Sequence, residues 1–327
     1  MKPHEKSRHV VVWSINKGLR SSKGNYRVFD GQRILDPHQR TLDHRSNAGS
    51  SPGFAPIGTV PPMNMMRETA NAVAGVGPAT PQRLLIIVAA ASEARALCRA
   101  LGHEALPLRA WLPIPISLHA DLLLTGVGKA NAAGATAGAL AGQSYYAAIN
   151  LGIAGALPSL DAGLDLTFSL ALGTALIAST STFADEGLES PGGTFQSLAE
   201  MGFPMIDEPV ISPGAGGPSF AADAGLVARL TRLVDLAAPI ATVSTCSGTH
   251  ARAIEIARRT GALAECMEGA AAALVCARRG VAFAELRVIS NTTGDRPSQL
   301  WKIREALERL GQLASGVLDS FSALGGR

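Results

Sequence analysis

Apolar and polar positions along this chain predict strands and helices in alternation. Leu84-Leu85-Ile86-Ile87-Val88 is a continuous apolar run of strand length, so it reads as a central strand buried on both faces. Ser92 follows as a candidate N-cap for a helix carrying Glu93 and Leu97. Asp121 to Thr125 predicts a second strand, which Gly126-Val127-Gly128 turns into a helix from Ala130 to Ala141. Ala147 to Leu151 predicts a third strand, ending in a Gly152-Ile153-Ala154-Gly155 turn, and Leu166 to Thr182 supplies one or two more. Helical spacing returns from Ala221 to Leu236. A strand is expected from Pro239 to Ser244, and Ser247-Gly248-Thr249 breaks it into a helix from His250 to Thr260. The apolar run Ala270 to Cys276 reads as a buried helix and Phe283 to Ser290 as a strand. Pro297 to Leu324 reads as a long terminal helix with Trp301 and Leu307 among its packing residues. Strands alternating with helices predict an α/β fold with a parallel or mixed sheet between helical layers.

Two stretches fall outside this pattern. Residues 1–82 lack sustained periodicity, are rich in Ser, Gly, Pro, Arg and His, and are expected to be a disordered extension preceding one domain at 83–327. No apolar segment follows their basic start, so a secretory signal is not expected. Met63, Met65 and Met66 offer alternative translation starts. The second stretch, Asp185 to Gly217, is long and rich in Pro and Gly. A loop of that length inside a compact domain is usually functional, here over one end of a ligand or at a subunit interface.

Charge changes the picture in one respect. The net charge is +3, yet residues 1–82 hold 11 Lys and Arg against 5 Asp and Glu, so the remainder is mildly acidic. No basic stripe is visible after residue 82, which argues against nucleic acid as a partner. Leu164 to Thr182 is the nearest approach to a membrane span, but Gly, Ser and Thr interrupt it, so no membrane partner is expected. Cys98, Cys246, Cys266 and Cys276 form no C-x-x-C pair and sit in apolar neighbourhoods, as expected of buried thiols in a reducing, cytoplasmic compartment. His103, His119 and His250 have no metal-ligand spacing, so no metal is expected.

The candidate chemistry gathers at strand and helix ends. Glu268 opens the buried helix, where it either complements the helix dipole or serves a ligand. Asn291 follows the strand Phe283 to Ser290, and open α/β sheets place ligands at such ends. Gly126-Val127-Gly128 invites a dinucleotide reading, but Asn131 stands where a third glycine is needed, and Asn150 ends the next strand in place of an acid. No cofactor is therefore expected.

Met267-Glu268-Gly269-Ala270, then Ile289-Ser290-Asn291 with Gly294 and Arg296, resembles the purine nucleoside phosphorylase and nucleosidase superfamily. Thr125 to Asn131, Asn150 to Gly155 and Phe183 to Ser190 match it further, the last in a phrase similar to that of the futalosine hydrolase family. The resemblance spans roughly Leu84 to Leu310. It implies a three-layer α/β/α sandwich whose mixed sheet curls partly into a barrel, and a homo-oligomer acting on a small nucleoside.

The implied reaction is hydrolysis of the N-glycosidic bond of futalosine, releasing hypoxanthine, in menaquinone biosynthesis. By the same resemblance Glu93 activates water and Glu268 binds the ribose hydroxyls beside Met267. Asn291 bonds the base edge, and Asp295 stands near as a possible proton donor. Ser290, Ile153, Ala154, Gly155, Gly126, Gly128 and Thr249 complete the expected substrate contacts. Phosphorylase members carry an arginine at the place of Asn150 and a serine at the place of Ile153. Neither Asn150 nor Ile153 offers the charge that phosphate needs, which points to water as nucleophile. Three alternatives stay open: a methylthioadenosine-type nucleosidase, a purine nucleoside phosphorylase and a non-catalytic nucleoside-binding module.

Overall fold

The computed structural model describes residues 83–160, 167–168, 170–206 and 218–322. The expectations for residues 1–82, and part of those for Leu166 to Thr182 and Asp185 to Gly217, lie outside the described residues. The first strand, β1 (Arg83–Val88), leads into helix α1 (Ala91–Ala100). Then come β2 (Ile114–Ser117), β3 (Ala120–Leu124), α2 (Lys129–Gly142), β4 (Tyr145–Ala156) and β5 (Ala175–Phe183). A short hairpin, β6 (Gly187–Glu189) and β7 (Phe195–Ser197), precedes β8 (Ser219–Ala221) and α3 (Ala224–Leu230). The chain continues through β9 (Leu236–Thr242), α4 (His250–Thr260), β10 (Ala264–Cys266), α5 (Gly269–Arg279), β11 (Ala282–Thr292) and α6 (Ile303–Ser322).

Strand order in the main sheet is β10-β9-β5-β11-β4-β1-β3-β2, with β8 on the edge of β5. β10 also pairs with β4, so β10, β9, β5, β11 and β4 close into a ring while β1, β3 and β2 extend from it as an open wing. In this sheet β1–β3, β1–β4, β4–β11, β5–β9 and β9–β10 run parallel, and β2–β3, β5–β8, β5–β11 and β4–β10 run antiparallel. β1 shows why an unbroken apolar run was needed. Leu84, Ile86 and Val88 pack toward α1 and α6, and Leu85 and Ile87 toward α2 and α5. The mixed, partly barrel-like sheet between helical layers is the expected class.

Several boundaries differ from expectation. Ser92 does not cap α1; Ala90 holds the N-cap position and the Glu93 side chain returns to its N–H. Residues Gly152 to Gly155 are not a turn but the second half of β4, held extended because β10 and β11 flank them. The helix read from Ala221 to Leu236 is shorter and gives way to β9 at Leu236. The terminal helix starts at Ile303, and Trp301 precedes it, bridging to Asn291 beside the end of β11.

Candidate active site

The C-terminal ends of β1, β4, β10 and β11 surround a cleft of about 450 Å³. Glu93, Ile153, Ala154, Gly155, Met267, Glu268, Ser290 and Asn291 all line it. A neighbouring cavity of about 530 Å³ is lined by Gly128, Lys129, Phe183, Glu186 and Ser244, and shares Val127 and Met267 with the first.

Glu93 is 3% exposed. Its Oε2 accepts from the N–H groups of Ala89 (3.1 Å) and Ala90 (2.8 Å), and its Oε1 from the N–H of Ile153 (2.9 Å). The three amides fix the carboxylate where β1 ends and α1 begins. A carboxylate has about four acceptor sites, so roughly one stays open toward the cleft.

Glu268 sits at the N-cap position of α5 and is 4% exposed. Its Oε1 accepts from the N–H of Gly128 at 3.0 Å. Gly128 has φ 98°, a conformation that glycine adopts freely, and this aims its amide at the carboxylate. Burial pushes the Glu268 pKa up, with Glu93 and Glu285 adding to it, while Arg287 and the Gly128 amide oppose.

Arg287 was not anticipated as a site residue. It is 1% exposed in β11 and its guanidinium joins the buried polar groups. Its Nε donates to Glu285 Oε1 (2.8 Å), its Nη2 donates to Asn150 Oδ1 (2.6 Å), and its Nη1 lies 3.5 Å from Glu268 Oε2. Burial acts to lower its pKa, yet the carboxylates of Glu285, Glu268 and Glu93 around it raise it on balance. Glu285 is further bonded by Ser181 and by the Cys266 thiol (3.1 Å). Burial pushes that thiol well above its ordinary pKa, so it serves as a neutral donor.

Gly152 lets Arg287 and Glu93 approach each other, because a Cβ there would strike the guanidinium and come within 2.9 Å of Glu93 Oε1. Three carboxylates thus face one guanidinium, an excess of negative charge in a buried pocket. That is costly at rest and favourable toward a positive charge developing beside it. The signal for Arg287 was present: Glu285 and Arg287 are two residues apart in an otherwise apolar strand, so they share a face and pair.

The other end of the cleft is more open. Asn291 Nδ2 donates to Thr292 O (2.9 Å) and its Oδ1 accepts from Ser290 Oγ (2.9 Å), leaving one N–H for a ligand. Trp301 lines this end at 41% exposure, with the Arg296 guanidinium 4.4 Å from its ring. Trp301 is therefore a cleft residue and not, as expected, a packing residue of the terminal helix. Gln299 ties the wall together by donating to Ser247 O (3.1 Å) and Gly294 O (2.8 Å).

Four expected site residues do not line this cleft: Gly128 lines the neighbouring cavity instead, and Asp295, Thr249 and Gly126 hold loops together. Asp295 is half-exposed, accepts from the His250 N–H at 2.9 Å and pairs with the His250 ring at 3.4 Å. Thr249 caps α4 by accepting from Arg252 N. The Gly126 N–H bonds Ala89 O, which joins the β3 loop to β1. Asp185, in the matched phrase Phe183 to Ser190, is an anchor: it pairs with Lys129 and Arg252 and accepts from Ser244 N. Burial works to raise its pKa, and Lys129 and the Ser244 amide hold it below the ordinary value.

Paired buried carboxylates over an apolar cleft, at the strand ends of a partly closed α/β sheet, define a class that cleaves glycosidic bonds of nucleosides. The family described as "Phosphorylase superfamily" matches residues 119–323, and the chain belongs to that superfamily. Among its relatives is the futalosine hydrolase of Acidothermus cellulolyticus, 36% identical over 74% of this chain and 89% of the relative. Another is the futalosine hydrolase of Thermus thermophilus, 35% identical over 60% of this chain and 80% of the relative. Similar folds occur in a Helicobacter pylori 5′-methylthioadenosine/S-adenosyl homocysteine nucleosidase (TM-score 0.55, 18% identity, 74% of this chain and 99% of that one). A Helicobacter pylori futalosine hydrolase mutant is alike to the same degree (TM-score 0.55, 17% identity, 73% of this chain and 99% of that one).

Proposed function

We propose that this chain hydrolyses the N-glycosidic bond of futalosine, releasing hypoxanthine and dehypoxanthine futalosine, as one nucleosidase domain over residues 83–327. The futalosine hydrolase relatives support the substrate. One observation carries the choice of water over phosphate. The amides of Ala89, Ala90 and Ile153, which would cradle an anion, are already taken by Glu93. A phosphate would meet a carboxylate and the Ile153 side chain instead of free donors.

Glu93 holds the attacking water at its remaining acceptor site and takes its proton as the bond to the anomeric carbon forms. Glu268 accepts from the ribose hydroxyls, and the excess of negative charge around Arg287 stabilises the oxocarbenium-like ribosyl group. Met267 packs against the sugar. The electrons of the broken C–N bond leave with hypoxanthine, and the Asn291 amide donates to its developing negative charge. Asp295, bonded to His250, is not used in this scheme. The neighbouring cavity around Phe183 and Lys129 receives the 5′ substituent.

The relatives' name points to menaquinone biosynthesis. Cys98, Cys266 and Cys276 are buried as expected and Cys246 is exposed, contrary to expectation; all four are free thiols, which fits a cytoplasmic setting, and the exposed Trp111 and Val127 fit a homo-oligomer. Among the described residues no helix is long and apolar enough to cross a membrane. The test is a panel of futalosine, its 6-amino counterpart, inosine and methylthioadenosine, followed by release of free base. Futalosine is expected to be cleaved with the highest kcat/KM; preferred cleavage of methylthioadenosine would overturn the substrate assignment.

A further inference from the structure

Glu265 in β10 lines the same cleft and takes no part in the scheme above. It is 5% exposed, and among the described residues no ion pair is found for it. Its neighbour is Ser247, whose N–H donates to Oε1 (2.8 Å) and whose O–H donates to Oε2 (2.6 Å). Two donors on two oxygens hold the carboxylate in one orientation and leave about two acceptor sites free. Arg252 acts on it only from beyond ion-pair distance, being engaged by Asp185 and Glu255, and a buried carboxylate without a directly paired cation is costly unless a ligand uses it.

The sheet register says what it faces. Glu265 stands opposite Gly155 across the β10–β4 pair, and Gly155 stands opposite Asn291 across the β4–β11 pair. Residues directly opposite project to the same face, so Glu265 and Asn291 flank Gly155 on the cleft side. Two strand spacings put their backbones about 10 Å apart. Gly155 supplies a bare floor between them: a Cβ there would come within 3.1 Å of Asn291 Nδ2 and 2.9 Å of Thr293 Cγ2. The slot therefore has a flat base, an acceptor-only wall and an amide wall.

We propose that Glu265 is a specificity-determining residue whose carboxylate accepts the N1–H of a 6-oxopurine lying on Gly155 with its O6 and N7 edge toward Asn291. A 6-oxopurine carries a donor at N1 and acceptors at O6 and N7. Adenine carries an acceptor at N1, which a carboxylate repels. Ser247 is a positioning residue, acting through Glu265. This inference rests on the proposed function and deepens it from a nucleoside site to one that reads the oxidation level of the base.

The experiment compares binding of free hypoxanthine and adenine to the full chain, wild type against Glu265→Gln, by calorimetry, with futalosine cleavage followed on the wild type in parallel. The amide can accept from hypoxanthine or donate to adenine N1. The hypoxanthine-over-adenine ratio is therefore expected to fall about ten- to a hundredfold, the range for a charge-assisted hydrogen bond. Ser247→Ala keeps the charge but frees it; a smaller fall in the ratio is expected, and this variant carries the test if Glu265→Gln does not fold. A variant that loses affinity for both bases equally, together with Tm, would show that Glu265 only anchors the Ser247 loop and would overturn the inference. Wild type that cleaves futalosine, with a ratio unchanged in both variants, overturns the inference alone. Wild type that neither cleaves futalosine nor binds hypoxanthine overturns the proposed function as well.

Discussion

The two ends of the cleft are built differently. At one end Glu93, Glu268, Glu285 and Arg287 are almost fully buried, and backbone amides or neighbouring side chains hold each of them. At the other end Asn291 and Trp301 are partly exposed, and the wall is a loop stitched together by Gln299 and Ser247. The first end stores charge in a rigid frame, which suits a reaction that develops positive charge on a sugar. The second offers hydrogen bonds at strand ends of the closed ring, which suits reading a flat base. The difference separates rate from selectivity: changes at the buried end should alter kcat or stability, and changes at the open end should alter which base is preferred.

The strongest test of that separation is Glu93→Gln. Removing the base that takes the proton from water is expected to lower kcat roughly 10²- to 10⁴-fold. Hypoxanthine affinity, measured by calorimetry, is expected to stay within a few-fold of wild type. Near-full turnover in this variant would remove Glu93 from the water-activating role.

Arg287→Met should act on stability. It leaves Glu268 and Glu285 buried without their cation, and loss of one partner from a buried pair costs about 3–5 kcal/mol. Denaturant unfolding checks this, and a variant as stable as wild type would mean that the carboxylates are not held by Arg287.

A smaller effect is expected at the open end. Asn291→Asp replaces the donor facing O6 or N7 by an acceptor, so the kcat/KM preference for futalosine over its 6-amino counterpart should fall roughly tenfold or more. An unchanged ratio would mean that Asn291 does not read position 6.

The smallest effect concerns Glu268 and pH. Burial raises its folded-state pKa above the unfolded value of about 4.3, so the folded protein binds more protons between the two values. Stability contributed by this group therefore falls as pH rises through that window. Glu268→Gln removes the titration. The Tm difference should move toward the variant by a few degrees as pH rises through the raised pKa, even though the variant is catalytically impaired.

Most strands and helices were legible because they are written locally. β1 is a continuous apolar run, and α4 begins after a Thr cap and ends at Gly261 in the left-handed conformation. Glu93, Glu268 and Asn291 were legible as polar groups at element ends. What was not legible depends on closure of the sheet. Gly152 to Gly155 read as a turn because glycines interrupt the pattern, yet β10 returns to pair with Gly155 and Ala156 and keeps the strand extended. The same closure places Glu265 across from Asn291. Trp301 was misplaced because its apolar ring fits a helix pattern, whereas its backbone pairs with Asn291 ahead of α6. Arg287 was overlooked although Glu285 and Arg287 mark one strand face.

The central claim is that the Glu93 end of the cleft delivers water and not phosphate to the sugar. The most direct measurement is the rate of hypoxanthine release from futalosine in buffer freed of phosphate and then titrated with it, with the sugar product identified by mass. The account predicts full turnover without phosphate, no acceleration on its addition, and a free sugar as product. A strict phosphate requirement, or a sugar 1-phosphate as product, would contradict it.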